Sequence, residues 1–114
     1  MLFVSSVGGY QPFPMIGAYS VSKTALLGLV RALSMECGRN GVRVNGIAPG
    51  IIETKFSSAL TKEPMKSMMT QNVPLGRFGQ PDECAHTVVH LCSDEASYIN
   101  GEVVGINGGM PSRL

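Results

Sequence analysis

Three short apolar runs, spaced by stretches with helical periodicity, most constrain what this chain can fold into. The first run, "MLFVSS", reads as a strand over about Leu2 to Ser5. Its apolar residues are continuous, without alternation, as in a parallel sheet covered on both faces. "VGGYQPFPMIG" follows, and its glycines and prolines read as an irregular loop. From Ala18 to Cys37 the pattern is helical: Leu26, Leu29, Val30 and Leu33 recur at three- and four-residue steps, with Ala25 and Ala32 beside them. Gly38 is the expected stop, with a second glycine at Gly41.

"VRVNGI" alternates and reads as a second strand, Val42 to Ile47, broken by "APG". Residues 53–72 are polar, Met-rich and weakly periodic, which predicts short helices in a mobile excursion. "GQPDECAHTVVHLCS" opens another helix. Pro81 suits its first turn, where Asp82 and Glu83 meet the positive end of the helix dipole. "GEVVGINGG" is the third strand. Strand, helix, strand, helices, strand is a βαβαβ order, so the expected fold is α/β: three adjacent parallel strands with flanking helices, half of a doubly wound sheet. We find no internal repeat and no linker.

A chain of 114 residues fits a single domain. With 44% hydrophobic and 15% charged residues, disorder is not expected. So little charge suggests a surface meant to be covered, by further chain or by a partner. A net charge of +1 without a basic block argues against nucleic acid. No apolar run approaches membrane-spanning length, and the start lacks the charged segment of a signal peptide. Cys37, Cys84 and Cys92 are an odd number without a CxxC, which favours reduced thiols in an intracellular compartment. Ser112, Arg113 and Leu114 form a variant of S-K-L, the tripeptide read by the peroxisomal import receptor. A peroxisomal location is expected, with the cytoplasm as the alternative.

Tyr19 and Lys23 lie four residues apart, hence on one face of the first helix. An ammonium beside a phenol stabilises the phenolate, so the pair suits general acid–base work. The same spacing also occurs on ordinary solvated helix faces. Context adds weight. Ser6 stands thirteen residues before Tyr19, at the end of the first strand, and the other strands end in "APGIIET" and "INGG". In α/β sheets ligands bind at the carboxyl ends of the strands. On the helix at Pro81, Glu83, His86 and His90 have i, i+3, i+7 spacing that could hold a metal or simply line a helix face.

These motifs resemble the short-chain dehydrogenase/reductase family. The resemblance rests on "VSS", "YSVSK", "GVRVNGIAPGIIET", "GRFGQPDECA" and "SYINGEVVGINGG", in the family's order and spacing over almost the whole chain. It implies a Rossmann-type fold and an NADP(H)-dependent oxidoreductase acting on a small carbonyl or alcohol, reducing ketones or aldehydes, retinal among them. Tyr19 would give a proton to the substrate carbonyl oxygen. Lys23 would stabilise the phenolate and bind the nicotinamide ribose. Ser6 would hydrogen-bond the carbonyl and steady the charge developing on oxygen. Pro49 and Gly50 would turn the chain beside the nicotinamide, and the Ile52 backbone and Thr54 hydroxyl would meet its carboxamide. Residues 53–72 would be the substrate lid. The family gives Glu83, His86 and His90 no metal role, so they are read as helix-face residues.

The family's T-G-x-x-x-G-x-G loop, its N-A-G motif and its catalytic asparagine do not occur in these residues. Residues 1–114 are therefore expected to be one partial domain, the C-terminal half of a Rossmann-type sheet. By itself the half is expected to be inactive. Full length, it would be an active homo-oligomer, a tetramer by resemblance. The alternative is a non-catalytic truncated subunit that associates with full-length protein.

Overall fold

The computed structural model describes residues 1–112. Three strands form one parallel sheet in sequence order: β1 (Leu2–Val4), β2 (Asn45–Pro49) and β3 (Val103–Ile106). Leu2 pairs with Asn45, and Gly46 with Val103. Helix α1 (Gly17–Cys37) connects β1 to β2. The short α2 (Met65–Thr70) and α3 (Pro81–Cys92) lie between β2 and β3. This is the α/β arrangement the sequence implies.

Strand β2 is central, and its first four residues are buried. The helix packs on it closely. A Cβ added at Gly46 would lie 3.1 Å from the Phe3 carbonyl oxygen and 3.3 Å from side-chain carbons of Val30 and Val103. Val30, Ala48 and Val103 form the core there, with Phe3, Tyr10 and Leu27 against them. A second cluster, Val7, Val73, Phe78 and Met110, sits at the carboxyl edge of the sheet under Ile51 and Met69.

Several boundaries differ from the sequence expectation. The second strand begins at Asn45 and runs to Pro49. Polar partners draw Arg43 and Val44 out of the ladder. The Arg43 guanidinium donates to the carbonyls of Leu91, Ser93 and Ile99, and so caps the carboxyl end of α3. The Val44 N–H donates to Asn100 Oδ1. Pro49 is tolerated as the last strand residue, where its missing N–H costs little. Strand β1 stops at Val4, one residue early. Part of the loop after it is regular, because Val7–Gly9 form a 3-10 turn.

Gly38 does not stop α1 by a left-handed turn. It keeps helical angles, and the chain reverses at Gly41, with φ 75°. Of the apolar residues that recur along α1, Val30 is buried and Leu29 is 39% exposed. The segment 53–72 holds one short helix, α2, rather than several. Helix α3 starts as expected from Pro81, and the Glu83 carboxylate accepts the Gln80 N–H at 2.8 Å.

Candidate active site

Tyr19 lies in the first turn of α1 and is 36% exposed. One turn on, Lys23 Nζ sits 5.7 Å from the centroid of the Tyr19 ring, within cation–π reach. The ammonium also donates to the Val4 carbonyl at 2.9 Å, which ties it to the end of β1. An ammonium has three protons, so two remain for a ligand.

Ser6 follows β1 and caps the 3-10 turn. Its Oγ accepts the Gly8 N–H at 3.0 Å. The bond takes a lone pair and leaves the hydroxyl proton free to donate outward. Gly8 also fixes how Ser6 and Tyr19 meet. A Cβ there would lie 3.4 Å from Ser6 Oγ, 3.5 Å from Tyr19 Cε1 and 3.7 Å from Ser20 Oγ. Serine and phenol ring therefore border one point. Behind them, Ser5 is buried and donates to the Lys23 carbonyl at 2.8 Å. The Thr24 hydroxyl donates to the Gly9 carbonyl at 2.7 Å. These two bonds strap α1 to the loop after β1.

The segment after β2 forms the far side. The Gly50 N–H donates to the Ile106 carbonyl at 2.9 Å, and a Cβ at Gly50 would come 3.0 Å from Asn107 Cα. Only glycine fits that approach without displacing the end of β3. Ile52 then makes a parallel bridge with Gly79. The Gly79 N–H donates to the Ile51 carbonyl at 3.0 Å, and the Glu53 N–H to the Gly79 carbonyl at 2.9 Å. In such a bridge the intervening N–H and C=O point the other way. The Ile52 peptide groups thus face away from Gly79, and the carbonyl accepts from Ser57 Oγ. Thr54 is exposed, with its hydroxyl 3.2 Å from the same Ser57 Oγ.

Ser6, Tyr19 and Lys23 are thus brought together, and Pro49 to Thr54 leave the same edge of the sheet. A cation, an outward backbone N–H and two hydroxyls fit a ribose diol and a carboxamide, which need donors and acceptors together. At the start of the excursion, Glu53 accepts from Lys66 of α2 and from Gln80 beside α3, each at 2.9 Å. The Lys66 bond holds the Glu53 carboxyl below its usual range. Arg77 grips Glu83 with two bonds, at 2.7 and 2.8 Å, and with the Gln80 N–H holds it at about 2. A cavity of about 120 Å³, lined by Ile51, Val73, Leu75 and Asn107 among others, includes none of the three residues around Tyr19.

Elsewhere, no group of three or more His, Cys, Asp or Glu side chains among the described residues is placed to hold a metal ion. No described helix is long and apolar enough to cross a membrane. The three cysteines are free, and burial raises the Cys84 thiol. Arg113 and Leu114, two thirds of the expected import tripeptide, lie outside the described residues. Sequence reasoning missed Gly9, Ser57 and Glu53, whose partners are set by tertiary structure. For Gly9 the Gly-Gly pair after a strand signalled only a turn, and the close approach of α1 to it is set by tertiary structure.

A parallel α/β sheet with a Ser–Tyr–Lys group at its carboxyl edge defines a Rossmann-type protein with a candidate nucleotide site at the strand ends. The family model described as enoyl-(acyl carrier protein) reductase matches residues 1–111. The chain belongs to that family, within the short-chain dehydrogenase/reductases, whose members are oxidoreductases. It is 50% identical over 115 residues to dehydrogenase/reductase SDR family member 4 of Sus scrofa, a match covering 100% of this chain and 41% of the pig protein. The protein of the same name from Caenorhabditis elegans is 48% identical, over 100% of this chain and 45% of its own length. This chain therefore spans less than half the length of these relatives.

Solved structures agree with the fold. 4-Hydroxyisoleucine dehydrogenase complexed with NADH matches at a TM-score of 0.93 and 33% identity, over 99% of this chain and 47% of that one. A structure from Agrobacterium tumefaciens, provisionally described as a 2-deoxy-D-gluconate 3-dehydrogenase with bound NADP, matches at 0.92 and 30% identity, over 98% and 46%.

Proposed function

We propose that this chain, within a full-length protein, forms the catalytic half of an NAD(P)-dependent oxidoreductase that interconverts a carbonyl and an alcohol. One observation carries the reading: Ser6 Oγ and the Tyr19 ring border the same point beside Gly8, with the Lys23 ammonium 5.7 Å from the ring centroid. A bound nicotinamide would supply the hydride. Ser6 donates its free proton to the substrate carbonyl oxygen and polarises it. Tyr19 donates the proton that neutralises the alkoxide. Lys23 stabilises the phenolate left behind and holds the ribose with its two remaining protons. Pro49 and Gly50 shape the wall beside the nicotinamide, while Ile52 and Thr54 meet the carboxamide. Dinucleotides in the two structures above support a nicotinamide cofactor, one NADH and one NADP. We propose NADP(H) by the resemblance to the family member 4 proteins.

Apolar residues exposed along α1, Val21 and Met35 among them, support a homo-oligomer in the full-length form. The ending Ser112-Arg113-Leu114 supports delivery by the peroxisomal import receptor.

The test uses a full-length chimera, the Sus scrofa relative with residues 1–114 in place of its matching segment. Oxidation of NADPH is followed with ketone, aldehyde and retinal substrates. Turnover of at least one supports the reading. A folded chimera that binds NADPH but reduces none of them opposes it.

A further inference from the structure

We propose that Ser57 is a positioning residue for the nicotinamide end of the site, acting through Ile52 and Thr54. The inference rests on the reading just given. Residues 52–57 belong to no helix or named strand, so their backbone polar groups need local partners. One side chain supplies those of the Ile52 carbonyl and the Thr54 N–H. Ser57 Oγ donates to the Ile52 carbonyl and accepts the Thr54 N–H at 3.1 Å. It also lies 3.2 Å from the Thr54 hydroxyl, and the Ser57 N–H donates to that hydroxyl at 3.3 Å. Among the described residues, no other side chain bonds Ile52 or Thr54.

The geometry divides the work between two ties. The Gly79 bridge turns the Ile52 peptide groups outward. Ser57 then curls the next residues back, so that the Ile52 backbone and Thr54 hydroxyl, the two groups assigned to the carboxamide, are held by one hydroxyl. Alanine at this position leaves the Ile52 carbonyl without its side-chain partner and the Thr54 hydroxyl with only the backbone N–H of residue 57 to hold it. Threonine keeps the hydroxyl.

A merely structural turn and a positioning residue differ in which ligand notices the change. The experiment measures the affinity of the full-length chimera for NADPH and for ADP-ribose, which lacks the nicotinamide. Ser57→Ala is expected to weaken NADPH by about five- to tenfold, the loss of one or two neutral hydrogen bonds. ADP-ribose should change less than about twofold, and Ser57→Thr should restore most of the NADPH affinity. Equal weakening of both ligands, or no change in either, overturns the proposal. A parent chimera that binds ADP-ribose but not NADPH overturns the site reading and the role of Ser57 with it. If Ser57→Ala behaves as expected while Tyr19→Phe keeps full turnover, the proton-donor assignment falls and the role of Ser57 stands.

Discussion

Replacing Gly9 with alanine probes the contact that joins fold and site. A Cβ at Gly9 would lie 2.9 Å from Ser5 Oγ and 3.0 Å from the carbonyl carbon and oxygen of Lys23. Real Cβ atoms rarely come so close, so something must move. Ser5 can rotate, but its hydroxyl then leaves the Lys23 carbonyl, a bond now 2.8 Å long. The Lys23 backbone can move only if α1 shifts away from β1. Overpacking of this kind costs about 1–3 kcal/mol. Loss of the Ser5 bond adds about 0.5–1.5 kcal/mol. A combined cost of about 1.5–4.5 kcal/mol should lower the melting temperature of the full-length chimera by roughly 3–18 °C. Activity should fall further than stability explains, because the strap also sets where Lys23 stands. Below the transition, turnover is expected to drop about tenfold or more, since small misplacements of catalytic groups are costly. Gly17→Ala is the control, because a Cβ there meets nothing within 4 Å. The assays are thermal unfolding by circular dichroism and NADPH oxidation. A Gly9→Ala protein that melts within about 1 °C of its parent would refute the close approach of α1.

Arg43→Ala should destabilise the chimera by roughly 2–4 kcal/mol, because three carbonyls lose a charged donor. Denaturant unfolding gives the value, and NADPH affinity measured on the folded protein should stay unchanged. The Arg77–Glu83 contact gives a pH dependence. Glu83 is held at about 2 against an ordinary 4.5, so the contact stabilises fully above about 4.5 and its contribution is lost as pH falls toward 2. Arg77→Gln should therefore move the onset of acid unfolding upward, and an unchanged acid midpoint would count against it. For location, a fluorescent reporter ending in Ser112-Arg113-Leu114 should enter peroxisomes. It fails the expectation if it stays cytosolic in cells that import an S-K-L control.

The three strands and two long helices were legible because their patterns are local. The apolar steps through Val30 and the run "EVVGI" need only neighbours in sequence to be read. The juxtaposition of Tyr19, Lys23 and Ser6 was legible for a related reason: one helical turn and one strand end set their positions. The boundary at Asn45 was not, because Arg43 and Val44 leave the ladder for partners on α3 and at Asn100, about fifty residues away. Gly41 rather than Gly38 turning the chain is a choice between two glycines that propensity does not rank. The segment 53–72 resisted reading because its order comes from polar contacts, Lys66 and Gln80 on Glu53 and Ser57 on Ile52 and Thr54. Such contacts leave no periodicity.

In the proposed reaction Tyr19 gives the proton to the substrate oxygen. Tyr19→Phe keeps the ring that borders Gly8 and removes the only proton it could donate. The direct measurement compares NADPH affinity and steady-state turnover of the full-length chimera with and without this change. Under that assignment, affinity should be unchanged and turnover should fall at least a hundredfold, about 2.7 kcal/mol in the barrier. A phenylalanine variant that binds NADPH normally and turns over within tenfold of its parent, about 1.4 kcal/mol, would contradict it.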